Sequence, residues 1–392
     1  MPLATLQVAC CAADRVLVGQ LVFSNANLLD PESNGPIPLG WLLVEDGVIT
    51  AWQEGPPPAA LASRTVDADG LWLAPGFIDL HIHGDLAVAR GDRLPSALQA
   101  TSRALARRGT TAFLATTVSM APEALLDFVT GVREGGATGA TCLGVHLEGP
   151  WIAPGRVGAH DTASVRDYDP REAAELVARA EGTLAMVTLA PELPGGLQAV
   201  EDLRRAGLVV SLGHSEALPA CIDDAIGRGL SHVTHLFNAM GPIQHRELGT
   251  AGMALSDDRL TADLICDGVH VHPRMVRLAA LAKGERLCLV SDQVGPRLGP
   301  SPLERDGCVW RTSDGTLAGS AVTLAQSVGC FRRYTGAGLR ETIAAATVRP
   351  ARVLGVESQR GTLRKGARAD LVLLDREARV RATWIAGERV RD

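Results

Sequence analysis

The sequence WLAPGFIDLHIH (72–83) is an apolar run that ends in two histidines separated by one residue. Seven further short apolar runs also end in, or just before, a polar residue able to bind a metal ion or move a proton. Near-continuous apolar runs of this length indicate strands of a parallel sheet that is buried on both faces. The seven runs are TAFLATTV (111–118), CLGVHLEG (142–149), LAMVTLAPE (184–192), LVVSLGHS (208–215), HVTHLFNAM (232–240), TADLICDGVH (261–270) and LCLVSDQV (287–294).

Stretches with helical spacing of apolar residues separate most of these runs. Eight strand–helix units predict an α/β protein built on a (β/α)8 TIM barrel, whose active site lies at the C-terminal ends of the strands. The candidate metal-binding and proton-transferring side chains occupy those ends: His81, His83, Glu148, His214, His235 and Asp292. The four clearest helical stretches are 94–108, 122–134, 170–181 and 273–283.

The chain of 392 residues exceeds one barrel of about 250 residues, so a second unit is expected. Residues 15–70 contain apolar stretches broken by NG, DG and PPP, and the C-terminal ADLVLLD (369–375) and VRATWIAGERV (380–390) are similar. Such patterns predict antiparallel strands joined by turns. We therefore predict a small β-sandwich domain from both termini (1–70 and 356–392) beside a barrel at 71–355.

Net charge, apolar segments and cysteines indicate which classes of function and location are unexpected for this chain. The net charge of −6 disfavours a nucleic-acid partner. The weakly apolar residues 1–13 follow no basic residue and are too short to cross a bilayer, so neither membrane insertion nor export is expected. The eight cysteines form no CxxC pair and predict reduced thiols, most of them in the core of a cytoplasmic protein.

His81 and His83 are two residues apart on a strand, so their side chains share one face. That arrangement suits two imidazoles on one metal ion, although hydrogen bonding within the loop is the alternative. Glu148 stands between Leu147 and Gly149, where burial is costly without a cation, and its alternative partner is an arginine. With His214 and His235 it makes a Glu plus two His set, typical of catalytic zinc and also acceptable to iron or cobalt.

Two further features bear on the chemistry. The chain has only Lys283 and Lys365, and neither is placed to reach the barrel mouth, so any carboxylate that bridges two ions has to be Glu148. Asp292 ends the last run. A carboxylate beside water activated by a metal can take up the water's proton, because the metal lowers the pKa of that water toward about 7. The alternative role for Asp292 is to cap a following helix.

Several segments, in chain order, resemble the N-acetylglucosamine-6-phosphate deacetylases of the amidohydrolase superfamily. The likeness extends from about residue 70 to the C-terminus, and the segments that begin HLEGP and THLFNAM are the most specific. The segments are HLEGPWIAPGRVGAHD, VTLAPE, LGHSEA, THLFNAMGP, HRELGTAG, DGVHV, LVSD and DGTLAGSAVTL, followed by ATVRPARVLGV and GTLRKGARADLVLLD.

The resemblance implies a role for each matching residue. Glu148, His214 and His235 match the family's metal ligands, Asp292 its catalytic acid and base, and His160 the histidine that contacts the scissile carbonyl oxygen. Contacts to the sugar phosphate are implied for the Asn238–Ala239 backbone, Arg246 and His270, with His245 close enough to assist. His270 could instead bond only to the backbone, and Arg246 could pair with Glu247. Family members take some of these contacts from a neighbouring subunit, so a homodimer is expected.

The predicted reaction is hydrolysis of the acetamide of N-acetylglucosamine 6-phosphate by an enzyme with one or two divalent ions, most simply zinc. Two departures from the family pattern keep other substrates open. After the two histidines, HIHGDLAVARGD (81–92) lacks the run of glycines that usually follows, and Gln293 and Val294 follow Asp292 where small or apolar residues are expected. The alternatives are N-acetylgalactosamine 6-phosphate, another N-acyl compound, or a barrel that has lost catalysis and serves in binding.

Overall fold

A computed structural model describes residues 19–33, 35–61, 64–87 and 93–391. Segments from both ends of the chain form one eight-stranded sheet, called here the terminal sheet. Its strands are β1 (Leu21–Leu28), β2 (Ile37–Glu45), β3 (Val48–Glu54), β4 (Thr65–Asp67), β5 (Trp72–Pro75), β20 (Leu371–Leu374), β21 (Val380–Ile385) and β22 (Glu388–Arg389).

The terminal sheet is continuous, whereas the sequence predicted a sandwich of two sheets. Its strand order is β22-β21-β20-β5-β1-β2-β3, with β4 beside β1. Phe23 of β1 and Trp384 of β21 nevertheless meet edge to face, with ring centroids 4.9 Å apart. Strands from both halves of the sheet therefore contribute side chains to one apolar core.

Eight short parallel strands lie between the two terminal segments. Their hydrogen-bonded neighbours run in chain order from β6 to β11, and β12 pairs with β13 separately. The N–H of Leu236 donates to the carbonyl of Asp263 on β12 (2.9 Å), and that of Asp292 donates to the carbonyl of His81 on β6 (3.0 Å). The strands are β6 (Phe77–Gly84), β7 (Thr110–Thr116), β8 (Thr141–Glu148), β9 (Leu184–Leu189), β10 (Val209–Leu212), β11 (His232–Val233), β12 (Ala262–Ile265) and β13 (Leu287–Val290).

Amphipathic helices follow the parallel strands and cover them with their apolar faces. The predicted helical stretches 94–108, 122–134, 170–181 and 273–283 coincide with α1, α2, α3 and α7 to within two residues at each end. The helices are α1 (Arg93–Ala106), α2 (Pro122–Gly135), α3 (Pro170–Ala180), α4 (Gly196–Arg205), α5 (Pro219–Arg228), α6 (Gly249–Ser256), α7 (Pro273–Lys283), α8 (Leu324–Thr335), α9 (Leu339–Ala344) and α10 (Val348–Leu354).

The run 72–83 was predicted as one strand and is two. Trp72–Pro75 pairs with β20 in the terminal sheet, and Phe77–Gly84 begins the parallel set. Gly76 joins them, and its N–H donates to the carbonyl of Asp370 (2.8 Å). A Cβ on Gly76 would lie 2.2 Å from the Thr111 side chain, so only glycine permits this close crossing between the two sheets.

The predicted strands 232–240 and 261–270 are also too long. Regular pairing ends at Val233 and Ile265, and the polar residues that follow belong to turns. Positive φ angles at His235 (32°) and Phe237 (81°) interrupt the extended backbone. The apolar run therefore extends past the strand into the segment that carries chemistry.

After β13 the chain makes an excursion of six short strands before it returns to α8. Through β14 and β19 this excursion extends the parallel sheet beside β6. The strands are β14 (Gln293–Val294), β15 (Arg297–Leu298), β16 (Ser301–Pro302), β17 (Glu304–Asp306), β18 (Val309–Arg311) and β19 (Leu317–Ser320).

Within the described ranges, none of the helices combines the length and the apolar character needed to cross a membrane. The six described cysteines are all free thiols, two of them buried and four half-buried. Cys10, Cys11 and the stretch 1–13 lie outside the described residues.

Candidate metal centre

A buried carboxylate is the centre of the site. Glu148 ends β8 with 3% of its surface exposed. Its Oε1 lies 3.0 Å from His214 Nε2 and 2.9 Å from His235 Nε2, and these two nitrogens are 3.1 Å apart. The two histidines are 66 and 87 residues from Glu148 in the chain, yet all three side chains converge at one point.

The other oxygen of Glu148 faces a second group, formed by His81, His83 and Asp292. The Nε2 atoms of His81 and His83 are 3.1 Å apart and lie 3.5 and 3.4 Å from Asp292 Oδ1. They are 3.5 and 3.3 Å from Glu148 Oε2. Glu148 therefore stands between two sets of potential ligands, and Asp292 belongs to the second.

Hydrogen bonds indicate which ring nitrogen carries the proton in His214 and in His160, a histidine beside Glu148. His214 Nδ1 lies 2.7 Å from the Arg156 carbonyl, which can only accept, so Nδ1 donates and the neutral ring keeps a lone pair on Nε2. His160 Nδ1 accepts the N–H of Ser119 (3.0 Å), so Nε2 of the neutral ring donates. That Nε2 lies 3.1 Å from Glu148 Oε2.

The donor set fits a divalent cation. Ligands around a tetrahedral zinc ion at about 2.0–2.1 Å are about 3.3–3.4 Å from one another. The ligand atoms of Glu148, His214 and His235 are 2.9–3.1 Å apart, which is close to that spacing. The Nδ1 atoms of His81, His83 and His235 are buried and have no hydrogen-bond partner among the described residues. The Nε2 atoms of His81, His83, His214 and His235, in contrast, converge on Glu148, and buried nitrogens that converge on one carboxylate are typical of a metal site.

Burial and the neighbouring charges set the protonation of the metal-free centre. Burial alone would raise the pKa of Glu148, but His81 and His160 outweigh it and hold that pKa well below its usual range. Burial lowers the pKa of His214 to about 4. For His235 and His83 burial is outweighed by the carboxylates, Glu148 and Asp292, which raise the pKa to about 9 and about 10. The metal-free site therefore holds protons where a cation would bind.

Metal binding is expected to weaken as the pH falls, because a cation has to displace the proton of His235. With a pKa of about 9, each pH unit below that value weakens the apparent affinity about tenfold. Chelator competition should give about 100-fold weaker binding at pH 6 than at pH 8. His272→Gln, which alters a helix cap at α7, is a matched control that should keep this dependence. Equal affinity at pH 6 and pH 8 would contradict the expectation.

Residues that sequence reasoning did not single out hold the centre in place. Ser119 binds His160, the Arg156 carbonyl binds His214, and Asp263 accepts the N–H of His235. Asp263 is fully buried within the run TADLIC, and a buried charge in an apolar run was the available signal. The role of the Arg156 carbonyl could not be predicted from the sequence, because every residue type has a main-chain carbonyl.

None of the candidate substrate-binding residues is buried, unlike the residues of the cluster. His245 and Arg246 are exposed in the segment between β11 and α6, and among the described residues neither makes an ion pair. The suggested pairing of Arg246 with Glu247 is thus not seen there. Asn238 and Ala239 are half-buried, and the Asn238 side chain donates to the His235 carbonyl (3.3 Å).

His270 is held by an acidic partner. Its Nδ1 lies 2.6 Å from Asp267 Oδ2. Burial alone would raise the pKa of Asp267, but His270 and the N–H groups of Val269 and His270 outweigh it and lower the pKa. The His270 ring therefore bonds to a carboxylate, and not to the backbone as in the alternative role. Its second nitrogen has no partner among the hydrogen bonds of the described residues.

The sequence left open whether Glu148 pairs with an arginine and whether Asp292 caps a helix, and it predicted that Lys283 does not reach the site. The structure answers both questions and shows where Lys283 is engaged. Glu148 is surrounded by imidazoles rather than by an arginine. Asp292 precedes β14 and caps no helix. Lys283 ends α7 and donates to the Asp257 carbonyl (2.7 Å), so it is engaged outside the cluster.

The sequence profile of the amidohydrolase family matches residues 72–390. The chain belongs to the amidohydrolase family. The resemblance to its N-acetylglucosamine-6-phosphate deacetylases, inferred from the motifs, is confirmed by whole-chain comparisons. The deacetylase of that name from Bacillus subtilis is 34% identical over 370 residues, which cover 90% of this chain and 93% of that protein.

Two further relatives bear on the substrate. An N-acetylgalactosamine-6-phosphate deacetylase from Escherichia coli O157:H7 is 35% identical, with 89% of this chain and 95% of that protein covered. A mutant N-acetyl-D-glucosamine-6-phosphate deacetylase from Mycobacterium smegmatis, solved in complex with N-acetyl-D-glucosamine-6-phosphate, superposes with a TM-score of 0.86. That comparison covers 95% of this chain and 100% of that chain at 35% identity.

Proposed function

We propose that this protein hydrolyses the acetamide of N-acetylglucosamine 6-phosphate to glucosamine 6-phosphate and acetate. The observation that carries the proposal is the convergence of Glu148, His214 and His235, whose ligand atoms are within 3.1 Å of one another. The relatives named above support the substrate. A deacetylase of this family needs such a centre and an acid and base beside it, and Asp292 lies there.

The residues proposed to hold the first cation are Glu148, His214 and His235, with zinc the simplest choice for two imidazoles and a carboxylate. His81, His83 and Asp292 are proposed to hold a second, with Glu148 between the two. A bound divalent cation supplies Lewis-acid activation of water and of the acetamide carbonyl.

The protein's own groups complete the reaction. Asp292 accepts the proton of the attacking water, and it later donates that proton to the nitrogen that leaves as an amine. His160 donates from Nε2 to the carbonyl oxygen as negative charge develops there, because the Ser119 N–H occupies its Nδ1. Both groups are buried, which strengthens their electrostatic interactions with the substrate.

The sugar phosphate is proposed to bind through the Asn238–Ala239 backbone, His245, Arg246 and His270. Arg246 offers a planar pair of donors that matches a phosphate group. Its exposure is consistent with a phosphate that enters from solvent or with a site completed by a second subunit, so we also propose a homodimer. Exposed Ile243 and Leu248 in the same segment support such an interface.

Arg246→Ala is expected to raise KM for the phosphorylated substrate about 10- to 100-fold and to change kcat little. A charge-assisted bond of this kind contributes to binding rather than to the chemical step. Kinetics on N-acetylglucosamine 6-phosphate and on unphosphorylated N-acetylglucosamine check this, since only the former should respond. Arg205→Ala, on the exposed side of α4, is the matched control. An unchanged KM in Arg246→Ala would exclude this arginine from phosphate binding.

A second candidate substrate is N-acetylgalactosamine 6-phosphate, because the Escherichia coli relative of that name is as similar to this chain as the others. Acetate release from both epimeric sugar phosphates, with metal content measured in parallel, tests the proposed function. A higher kcat/KM on the galactosamine epimer would reassign the substrate, and no acetate from either by metal-loaded protein would refute the deacetylase.

We further propose that the eight parallel strands close into a barrel within 71–355, with the terminal sheet, including β5, as a separate unit. The hydrogen bonds from Leu236 to Asp263 and from Asp292 to His81 support closure, since they join the segments that follow β11 and β13 to β12 and β6, respectively. The pairing of Trp72–Pro75 with β20 favours a boundary at Gly76.

A further inference from the structure

Three side chains of the candidate centre are on residues with left-handed backbone. His214, His235 and Asp292 have φ angles of 49°, 32° and 44°. Residues with a Cβ rarely adopt this region, so the surrounding structure has to hold them there. What holds each of these residues therefore controls where its side chain points.

An acidic side chain outside the proposed ligand set accepts an N–H at or near each of these residues. Asp263 accepts the N–H of His235, Glu192 accepts that of Glu216 (2.6 Å), and Asp79 accepts that of Ser291 (3.1 Å). The three carboxylates come from different elements. Their shared feature is a hydrogen bond to the main chain of a left-handed turn.

Asp263 is the most completely engaged of the three. It is fully buried on β12, and its Oδ2 lies 3.3 Å from His232 Nε2. The other nitrogen of His232 lies 2.7 Å from the Thr261 hydroxyl. The main-chain carbonyl of Asp263 accepts the N–H of Leu236 (2.9 Å). One residue thus fixes two consecutive N–H groups, those of His235 and Leu236, through its side chain and its main chain.

We propose that Asp263 is a positioning residue for His235, acting through the hydrogen bond from the His235 N–H to its carboxylate. It is not itself a ligand, because one oxygen is bound to that N–H and the other faces His232. The inference rests on the proposed metal-dependent function. It adds that the affinity of the first site depends on a residue that does not touch the cation.

Asparagine and alanine at position 263 separate positioning from charge. Asparagine keeps an oxygen for the His235 N–H, and its amide can donate to His232 Nε2 while His232 Nδ1 donates to Thr261. Alanine removes both bonds. We expect Asp263→Ala to weaken metal binding about 10- to 100-fold by chelator competition, and Asp263→Asn to restore affinity to within a few fold of the unchanged protein.

The visible absorption of the cobalt-substituted protein supplies a second readout, because it reports ligand geometry independently of turnover. It should change in Asp263→Ala and be restored in Asp263→Asn. If the alanine variant fails to fold, Asp263→Ser takes its place, since serine is one atom too short to reach the His235 N–H.

Asp375 provides a matched control in the terminal sheet. It is also buried, and its carboxylate accepts the N–H groups of Glu377 (3.0 Å) and Arg379 (2.9 Å). Asp375→Ala should lower the melting temperature without altering metal affinity or the cobalt spectrum. Asp263→Ala with unaltered affinity and spectrum would overturn the inference, as would an asparagine variant as impaired as alanine. An unchanged protein that binds no divalent ion would instead refute the proposed function.

Discussion

Asp292→Asn is expected to lower kcat about 10³-fold or more on N-acetylglucosamine 6-phosphate. Asparagine has nearly the same shape as aspartate but cannot accept a proton from water, and general acid and base catalysis contributes about 10²- to 10⁴-fold. Asp292 also lies 3.4 Å from His83, so the second group of ligands should bind metal more weakly. The first group, which does not include Asp292, should retain its ion.

Steady-state kinetics and metal analysis of the same protein sample check both parts of this expectation. Asp306→Asn is a suitable control, because that exposed aspartate on β17 contacts Arg311 and no residue of the centre. Nearly unchanged turnover in Asp292→Asn would remove Asp292 from the proposed mechanism. Complete loss of metal would show that its main role is to bind a cation.

Glu148→Gln is expected to abolish both metal retention and turnover. The side chain lies between two sets of imidazoles, and its pKa is held well below the usual range, so it supplies a negative charge at neutral pH. Glutamine keeps the shape but not the charge. Because even residues that only support a ligand change affinity about 10- to 100-fold, loss of this carboxylate should weaken binding by at least about 100-fold.

Metal content after dialysis, measured beside the rate of acetate release, checks the Glu148 expectation. Glu304→Gln, an exposed position on β17, should leave both quantities unchanged. A Glu148→Gln protein that retains two equivalents of metal would contradict the central position assigned to this carboxylate. Retention of one tightly held ion would show that one of the two groups binds without it.

The sequence was most informative about which residues carry chemistry. His81 and His83 could be placed on one face of a strand because side chains alternate along strands, and the structure places their Nε2 atoms 3.1 Å apart. Glu148, His214 and His235 could be selected because polar residues at the ends of apolar runs need partners. Neither argument requires knowledge of the distances between these side chains in the folded protein.

The sequence was less informative about where regular structure begins and ends. Apolar runs identify buried backbone but not its hydrogen-bond partners, so Trp72–Pro75 was assigned to the wrong sheet. The run 232–240 was predicted as a strand because its residues are apolar, although pairing stops at Val233. Burial and strand pairing are different properties. An apolar run predicts burial but does not show where strand pairing ends.

The sequence alone determined the family, the residue types at the strand ends and the lack of a lysine near the site. These features depend only on which side chains occur and in what order. The tertiary structure decided the rest: the 2.9 Å approach of His235 to Glu148, the role of the Arg156 carbonyl and the support of His235 by Asp263. These contacts join residues that are far apart in the chain. Their geometry follows from how strands and turns pack, which no local pattern encodes.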